Sequence, residues 1–175
     1  AVDLDDSLLG SDLKISHENK RALFAARNKG VLITIATGRM LDSAMPYIKE
    51  LNIDIPVITY QGAYIKDTRT GETLVRKPVP GGLAEEILKE CKKQNLHVQF
   101  YNERSYYFEK ENEFSKLYHR MTGIKGEETE SLFELLSEEE PIKLLIVDKP
   151  SKINQLHSYF KELFGRDLQI SISKP

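Results

Sequence analysis

Asp3 and Asp5 are separated by one residue, behind a short apolar entry and ahead of Asp6 and Ser7. In extended backbone, residues two apart point to the same side, so the two carboxylates can converge at the end of a strand. Converging carboxylates repel each other unless a cation sits between them, and hard cations such as Mg²⁺ take oxygen ligands. One carboxylate could then attack an electrophile while the other moves a proton. Two plainer readings compete. Acidic turns are common. An EF-hand loop shares the opening spacing of Asp3, Asp5 and Ser7, but it needs glycine where Leu8 stands and glutamate where Lys14 stands.

The elements that must position these acids follow in order. Ser16 is a suitable N-cap for a helix carrying Ala22, Leu23, Ala25 and Ala26 on its inner side and closing at Gly30. Residues 31–36 form a nearly continuous apolar, β-rich run, the pattern of a strand buried on both faces of a parallel sheet. Strand, helix, strand is a βαβ unit. The second strand runs into Thr37, Gly38 and Arg39. A further helix carries Ala44, Ile48 and Leu51 on one face, and Pro46 limits how early it can begin. Residues 55–60 read as a third strand ending at Gln61 and Gly62, and residues 63–66 and 73–77 as a hairpin around Thr70 and Gly71.

Adjacent parallel strands end on the same sheet edge, where open α/β sheets bind ligands. Asp3, Asp5, the Thr37 hydroxyl and the Gly38 N–H would then share one pocket. A glycine lets backbone approach an anion closely.

Two prolines and two glycines within residues 78–82 mark a boundary, which divides the chain into residues 1–80 and 81–175. The second part reads as helices packed on one side of a mostly antiparallel sheet. Its helices are expected near residues 83–91, 111–121, 129–137 and 151–164, and its strands near 96–101, 105–109, 142–147 and 168–173. Leu168, Ile170 and Ile172 alternate with polar residues, so the last strand has one wet face.

The segments from Asp3 to Leu9, from Ala36 to Arg39, and Gln61-Gly62-Ala63 resemble the haloacid dehalogenase (HAD) superfamily of phosphatases. The nearest likeness is to its Cof-like group with a class IIB α/β cap. That resemblance implies an α/β fold: a partial Rossmann-like parallel-sheet core, then an inserted α/β cap. It implies hydrolysis of small phosphate monoesters, such as sugar phosphates or phosphorylated cofactors, through an aspartyl-phosphate. Asp3 would be the nucleophile and Asp5 the acid and base. Mg²⁺ would bind the Asp3 carboxylate and the Asp5 backbone carbonyl. The Leu4 amide, Thr37 and Gly38 would hold the phosphoryl oxygens, with Arg39, Gln61 and Gly62 as secondary substrate contacts. Phosphoryl transfer depends mostly on positioning and charge neutralisation, which suits this set.

The chain departs from the pattern in three places. Asp6 stands where glycine is commoner, and Gln61 where asparagine is usual. The family's later lysine and its Gly-Asp-x-x-Asn-Asp segment have no match, and Lys174 is a poor candidate for that lysine. The expectation is therefore a fragment, about two-thirds of a two-domain protein, inactive alone. A phosphomutase of the same superfamily and a non-catalytic phosphate-binding or regulatory module are the alternatives. A response-regulator receiver is disfavoured, because Thr59, Tyr60 and Gln61 supply no acid at the third strand's end.

Net charge is −2, so no basic stripe points to nucleic acid and no polybasic segment to a membrane surface. A single cysteine, Cys91, excludes an internal disulfide framework and favours a cytoplasmic setting. Tyr101, Arg104, Tyr106 and Tyr107 are secondary candidates for facing a substrate, with packing the ordinary alternative. His97 reads as a surface or hydrogen-bonded histidine, and the His119-Arg120 pair and the glutamates of residues 127–140 as solvated groups.

Overall fold

A computed structural model describes residues 1–173. The chain forms two compact units, Ala1–Lys77 and Pro78–Pro175.

In the first unit, three segments lie parallel. Val2 bridges Ile35, and Ala36 bridges Ile58. Val2 donates to the Thr34 carbonyl at 2.8 Å, Ala36 to Val2 at 3.0 Å, Ile58 to Ile35 at 2.9 Å and Thr37 to Ile58 at 2.9 Å. The third segment is strand β1 (Val57–Thr59). It continues antiparallel into β2 (Tyr64–Lys66) and β3 (Thr73–Arg76), in the order β1-β2-β3. Two helices connect the parallel segments. Helix α1 (His17–Arg27) begins where Ser16 Oγ accepts from the Asn19 amide at 3.1 Å, as the sequence predicts. Helix α2 (Leu41–Glu50) buries Ala44 and Ile48, with Leu51 just beyond its end.

Three details differ from the sequence reading. Residues 31–36 are not buried on both faces: Val31 is 51% and Leu32 78% exposed, while Ile35 is 1% exposed. Ladder bonds begin only at Thr34, so the first half of the run has no strand beside it among the described residues. Ala22 and Ala25 are exposed, and the inner side of α1 is instead Leu23, Phe24 and Ala26. Pro46 lies inside α2 rather than near its start. A proline there removes one backbone donor, and the burial of Ala44 and Ile48 on either side holds the helix together.

The second unit has a four-stranded sheet of order β6-β5-β4-β7: β4 (His97–Tyr101), β5 (Tyr106–Phe108), β6 (Glu127–Glu128) and β7 (Lys143–Val147). Strand β4 pairs antiparallel with β5 and β7, and β5 pairs parallel with β6. Helices α3 (Gly81–Lys93) and α6 (Pro150–Phe164) supply Ile87, Cys91, Phe160 and Phe164 to one core cluster, against Val98, Leu144 and Ile146. Leu132 of α5 (Leu132–Glu138) joins Leu88 and Phe100 in a second cluster, with Tyr107 against it.

The expectation of helices on one side only is corrected by α4 (Glu113–Thr122). Successive strand residues alternate faces. His97, Gln99 and Tyr101 alternate with Val98 and Phe100, yet are 8%, 0% and 2% exposed. The cover on their face is α4, with Phe114 stacked on His97 and Tyr118 edge-on to Tyr101. No strand forms at residues 168–173; Leu168 and Ile170 pack on the α3/α6 cluster instead. Lys174 lies outside the described residues.

Candidate active site

The parallel arrangement brings the ends of three chain segments to one edge. The first, after Val2, is Asp3. Its carboxylate accepts from the following amide, Leu4 N–H, at 2.8 Å. Leu4 itself is fully buried, and Asp3 is exposed. The chain then turns sharply: Asp5 stays extended, Asp6 is left-handed at φ 54°, and the Leu9 amide closes on the Leu4 carbonyl at 2.9 Å. Aspartate tolerates the left-handed region better than most residues. Glycine is therefore not required at position 6, which accounts for the departure seen in the sequence. Leu8 and Leu9 reach the core and anchor the turn from behind.

The second segment delivers Thr37 and Gly38. Thr37 is 4% exposed, and its hydroxyl accepts from the Arg39 amide at 3.2 Å. The third segment carries a strained run: Tyr60 and Gln61 both have φ 51°, and Gly62 has φ 92°. Left-handed backbone at a bulky residue such as Tyr60 costs on the order of 1 kcal/mol or more and persists only where surrounding contacts dictate it. Those contacts are visible here. The Tyr60 amide donates to the Arg39 carbonyl and the Gln61 amide to the Thr37 carbonyl, each at 3.1 Å. The loop after β1 is thus sewn to the loop holding Thr37, Gly38 and Arg39. The Gln61 side chain lies against Gly38, so the residue that replaces the usual asparagine covers the glycine cradle.

Arg39 does not stand free for a substrate. Its Nε donates to Asp5 Oδ2 at 2.8 Å and its Nη2 to Asp5 Oδ1 at 2.7 Å, a two-pronged ion pair with both side chains largely sheltered. Nη1 lies 3.4 Å from Ser43 Oγ, and the guanidinium sits 5.4 Å from the Tyr47 ring centre. The Asp5 carboxylate raises the Arg39 pKa above its ordinary value, chiefly by accepting these hydrogen bonds. Ser43 and Tyr47 escaped the sequence reading. Their spacing from Arg39, at i+4 and i+8 across the start of α2, was the available signal.

Oxygen donors suited to a hard cation are present at the exposed Asp3 carboxylate and on the turn that follows it. No group of three or more His, Cys, Asp or Glu side chains that could hold a metal occurs among the described residues. A cation here would rest on the Asp3 carboxylate and backbone oxygen, with water or further groups completing its shell. Of the secondary candidates in the second unit, the three tyrosines are accounted for by packing, while Arg104 is exposed. Tyr101 and Tyr106 are 2% and 0% exposed, and Tyr107 lies against the Leu88 and Phe100 cluster. Of the two readings of His97, the hydrogen-bonded one holds: it is buried, with its ring nitrogens beside Asn112 and Gln99.

A carboxylate at a strand end, a threonine and a glycine at the end of the neighbouring parallel strand, and a helix starting behind them lie at the edge where open α/β sheets bind ligands. Comparison with known proteins gives the class. All residues, 1–175, match the model of the haloacid dehalogenase-like hydrolase family. The chain belongs to that family, the one expected from Asp3, Thr37 and Gly38.

The structure is similar to the crystal structure of TM0651 from Thermotoga maritima, with a TM-score of 0.85 and 30% identity, covering 99% of this chain and 64% of that one. A HAD subclass IIB sugar phosphatase, BT4131, shares the fold at a TM-score of 0.72 and 24% identity, over 89% of this chain and 60% of that one. In sequence, the 5-amino-6-(5-phospho-D-ribitylamino)uracil phosphatase YwtE of Bacillus subtilis is 32% identical over 106 residues, 59% of this chain and 35% of YwtE. The chain spans less than two-thirds of the length of the curated relatives it matches.

Proposed function

We propose that this chain carries the nucleophile-bearing half of an Mg²⁺-dependent phosphomonoesterase site, in a protein acting on small phosphorylated metabolites. The observation that carries the reading is the shared edge: Asp3, Thr37 and Gly38 stand at the ends of adjacent parallel segments, with Asp5 held two residues along. Family membership supports it, as do relatives named as phosphatases of a ribitylaminouracil phosphate and of pyridoxal phosphate. Substrates of that size, a phosphate on a sugar-like or cofactor-like body, are the class we assign.

In this reading an Asp3 oxygen attacks phosphorus and the bond to the leaving oxygen breaks. Asp5, protonated with one oxygen released from the Arg39 fork, gives its proton to the leaving oxygen. Water then attacks the aspartyl-phosphate, and Asp5 takes the water's proton as the Asp3–phosphorus bond breaks. Thr37 and the Gly38 amide hold phosphoryl oxygens, and the Leu4 amide can join them by leaving the Asp3 carboxylate. Mg²⁺ on the Asp3 carboxylate and the Asp5 carbonyl would neutralise charge between nucleophile and phosphate. No helix among the described residues is long and apolar enough to cross a membrane.

The test is turnover of p-nitrophenyl phosphate and a panel of sugar and cofactor phosphates with Mg²⁺, in the wild type and in Asp3→Asn, run on this chain and on a longer version carrying the rest of the family's length. Mg²⁺-dependent turnover that Asp3→Asn abolishes supports the reading. Turnover surviving Asp3→Asn, or none in the longer version, overturns it.

A further inference from the structure

Arg39 shares the anion-binding edge with Thr37 and Gly38, and an arginine there would ordinarily be assigned to the substrate phosphate. The geometry points elsewhere. Its two best-aligned donors form a parallel fork onto the Asp5 carboxylate, at 2.8 and 2.7 Å. A third donor faces Ser43. The face of the guanidinium lies on Tyr47, whose hydroxyl is itself anchored on the Leu13 carbonyl at 2.9 Å. The Arg39 backbone is fixed on both sides, its amide on Thr37 Oγ1 and its carbonyl under the Tyr60 amide. A side chain with only 17% of its surface exposed and this many partners is a strut, and its far end is the Asp5 carboxylate.

We propose that Arg39 is a positioning residue: it fixes the Asp5 carboxylate relative to Asp3 and influences the reaction only through Asp5. The inference rests on the phosphatase reading above for the role of Asp5, but the strut itself does not. Asp5 sits on a turn containing a left-handed Asp6, and a turn alone leaves a carboxylate free to rotate. A fork removes that freedom, because both oxygens are bound in one plane. Through Tyr47 and Ser43 the position of Asp5 is referred to the body of α2. A second consequence concerns specificity: a guanidinium committed to Asp5 is not a phosphate receptor, so in the reading above phosphate affinity comes from the Leu4 and Gly38 amides, Thr37 and the cation.

Two measurements test this. The first is a double-mutant cycle on phosphatase turnover of the longer version, with Arg39→Ala, Arg39→Lys and Asp5→Asn. We expect Arg39→Ala to lower kcat on the order of 10- to 100-fold, the effect of a misplaced catalytic group, with KM changed less than about twofold. Arg39→Lys restores part of the loss, since an ammonium makes a point contact rather than a fork. In the Asp5→Asn background, Arg39→Ala costs almost nothing more. A KM raised about tenfold or more with kcat kept, or an undiminished loss in the Asp5→Asn background, would show direct phosphate contact and overturn the proposal.

The second measurement needs no turnover. The Arg39 Nε–H resonance in ¹⁵N NMR should be protected from exchange, lose protection in Asp5→Asn, and stay in place when inorganic phosphate and Mg²⁺ are added. A resonance that ignores Asp5→Asn, or that moves with phosphate, refutes the strut. A longer version without turnover but with an Asp5-dependent Arg39 signal counts against the phosphatase reading and leaves the pairing standing.

Discussion

A β-carbon placed on residue 38 would lie 2.7 Å from Nε2 of Gln61, so the Gln61 side chain occupies the space that glycine leaves open. This relationship joins a residue read from sequence as a phosphate cradle to one read as a secondary contact. The clash involves the far end of a flexible side chain. Gly38→Ala should therefore fold, with Gln61 displaced and stability changed by roughly 1 kcal/mol or less. Phosphate binding should fall all the same, because the methyl group occupies the anion's approach. Calorimetric titration with inorganic phosphate and Mg²⁺, beside urea denaturation, separates the two effects. Adding Gln61→Ala should recover the small stability loss but not the binding.

Gly126 makes the opposite case. A β-carbon there would overlap the ring of Tyr106, which is fully buried and donates to the Ile124 carbonyl at 2.9 Å. Neither the ring nor its hydrogen bond can move without loss. Gly126→Ala should destabilise the second unit by about 1–3 kcal/mol, the usual cost of overpacking. Urea denaturation followed by far-UV circular dichroism would show it.

His97 gives a pH prediction. Its Nδ1 lies 3.1 Å from Asn112 Nδ2, while Asn112 Oδ1 accepts from the Phe114 and Ser115 amides at the start of α4. The capping role fixes the amide, so Asn112 donates and Nδ1 accepts, while the other ring nitrogen lies 3.3 Å from Gln99 Nε2. Burial lowers the His97 pKa below its ordinary 6.5. A base with a depressed folded pKa binds more protons when unfolded. Its contribution to stability is intact above about pH 6.5 and is lost as pH falls toward the folded value. Unfolding free energy of the second unit should decline over that window in the wild type and decline less in His97→Gln. A flat profile in the wild type would contradict the assignment. Asn112→Ala should cost about 1 kcal/mol at neutral pH through loss of the cap.

Cys91 is a further probe. It is 0% exposed, and burial pushes its thiol up to about 12. The thiolate is the reactive form, so a disulfide reagent at pH 8 should label it only through opening of the α3/α6 cluster. The labelling rate should rise with urea in parallel with the loss of helix signal. Fast labelling in native buffer would place Cys91 outside the core.

The N-terminal acids, Thr37 and Gly38 were legible because their carrier strand is written in β-branched and aliphatic residues and their order implies one sheet edge. The Ser16 cap and the Ala44, Ile48, Leu51 face of α2 were legible for the same local reason. The Arg39–Asp5 fork was not, since 34 residues separate the partners and periodicity says nothing about pairing at that distance. Exposure of Val31 and Leu32 could not be read either, because hydrophobicity encodes an appetite for burial and not the presence of a neighbour. The polar row of His97, Gln99 and Tyr101 carries no local mark of burial. It is dry because α4 covers it and its side chains satisfy one another: Tyr101 Oη donates to Gln99 Oε1 at 2.8 Å. The left-handed Tyr60 and Gln61 had no local signal, as their conformation is imposed by bonds to Thr37 and Arg39.

The stitching of three short parallel segments by four backbone hydrogen bonds also sets the order in which this edge is assembled. Thr37 is held in place only once the segment at Ile58 has paired. Contacts of such long sequence separation form late, because loop closure must precede them. A chain that has not paired β1 therefore carries Asp3, Thr37 and Gly38 without the shared edge, which closes with β1. Amide exchange at Ala36 and Thr37 would register that step, distinguishing chains that have closed the sheet from chains that only carry its residues.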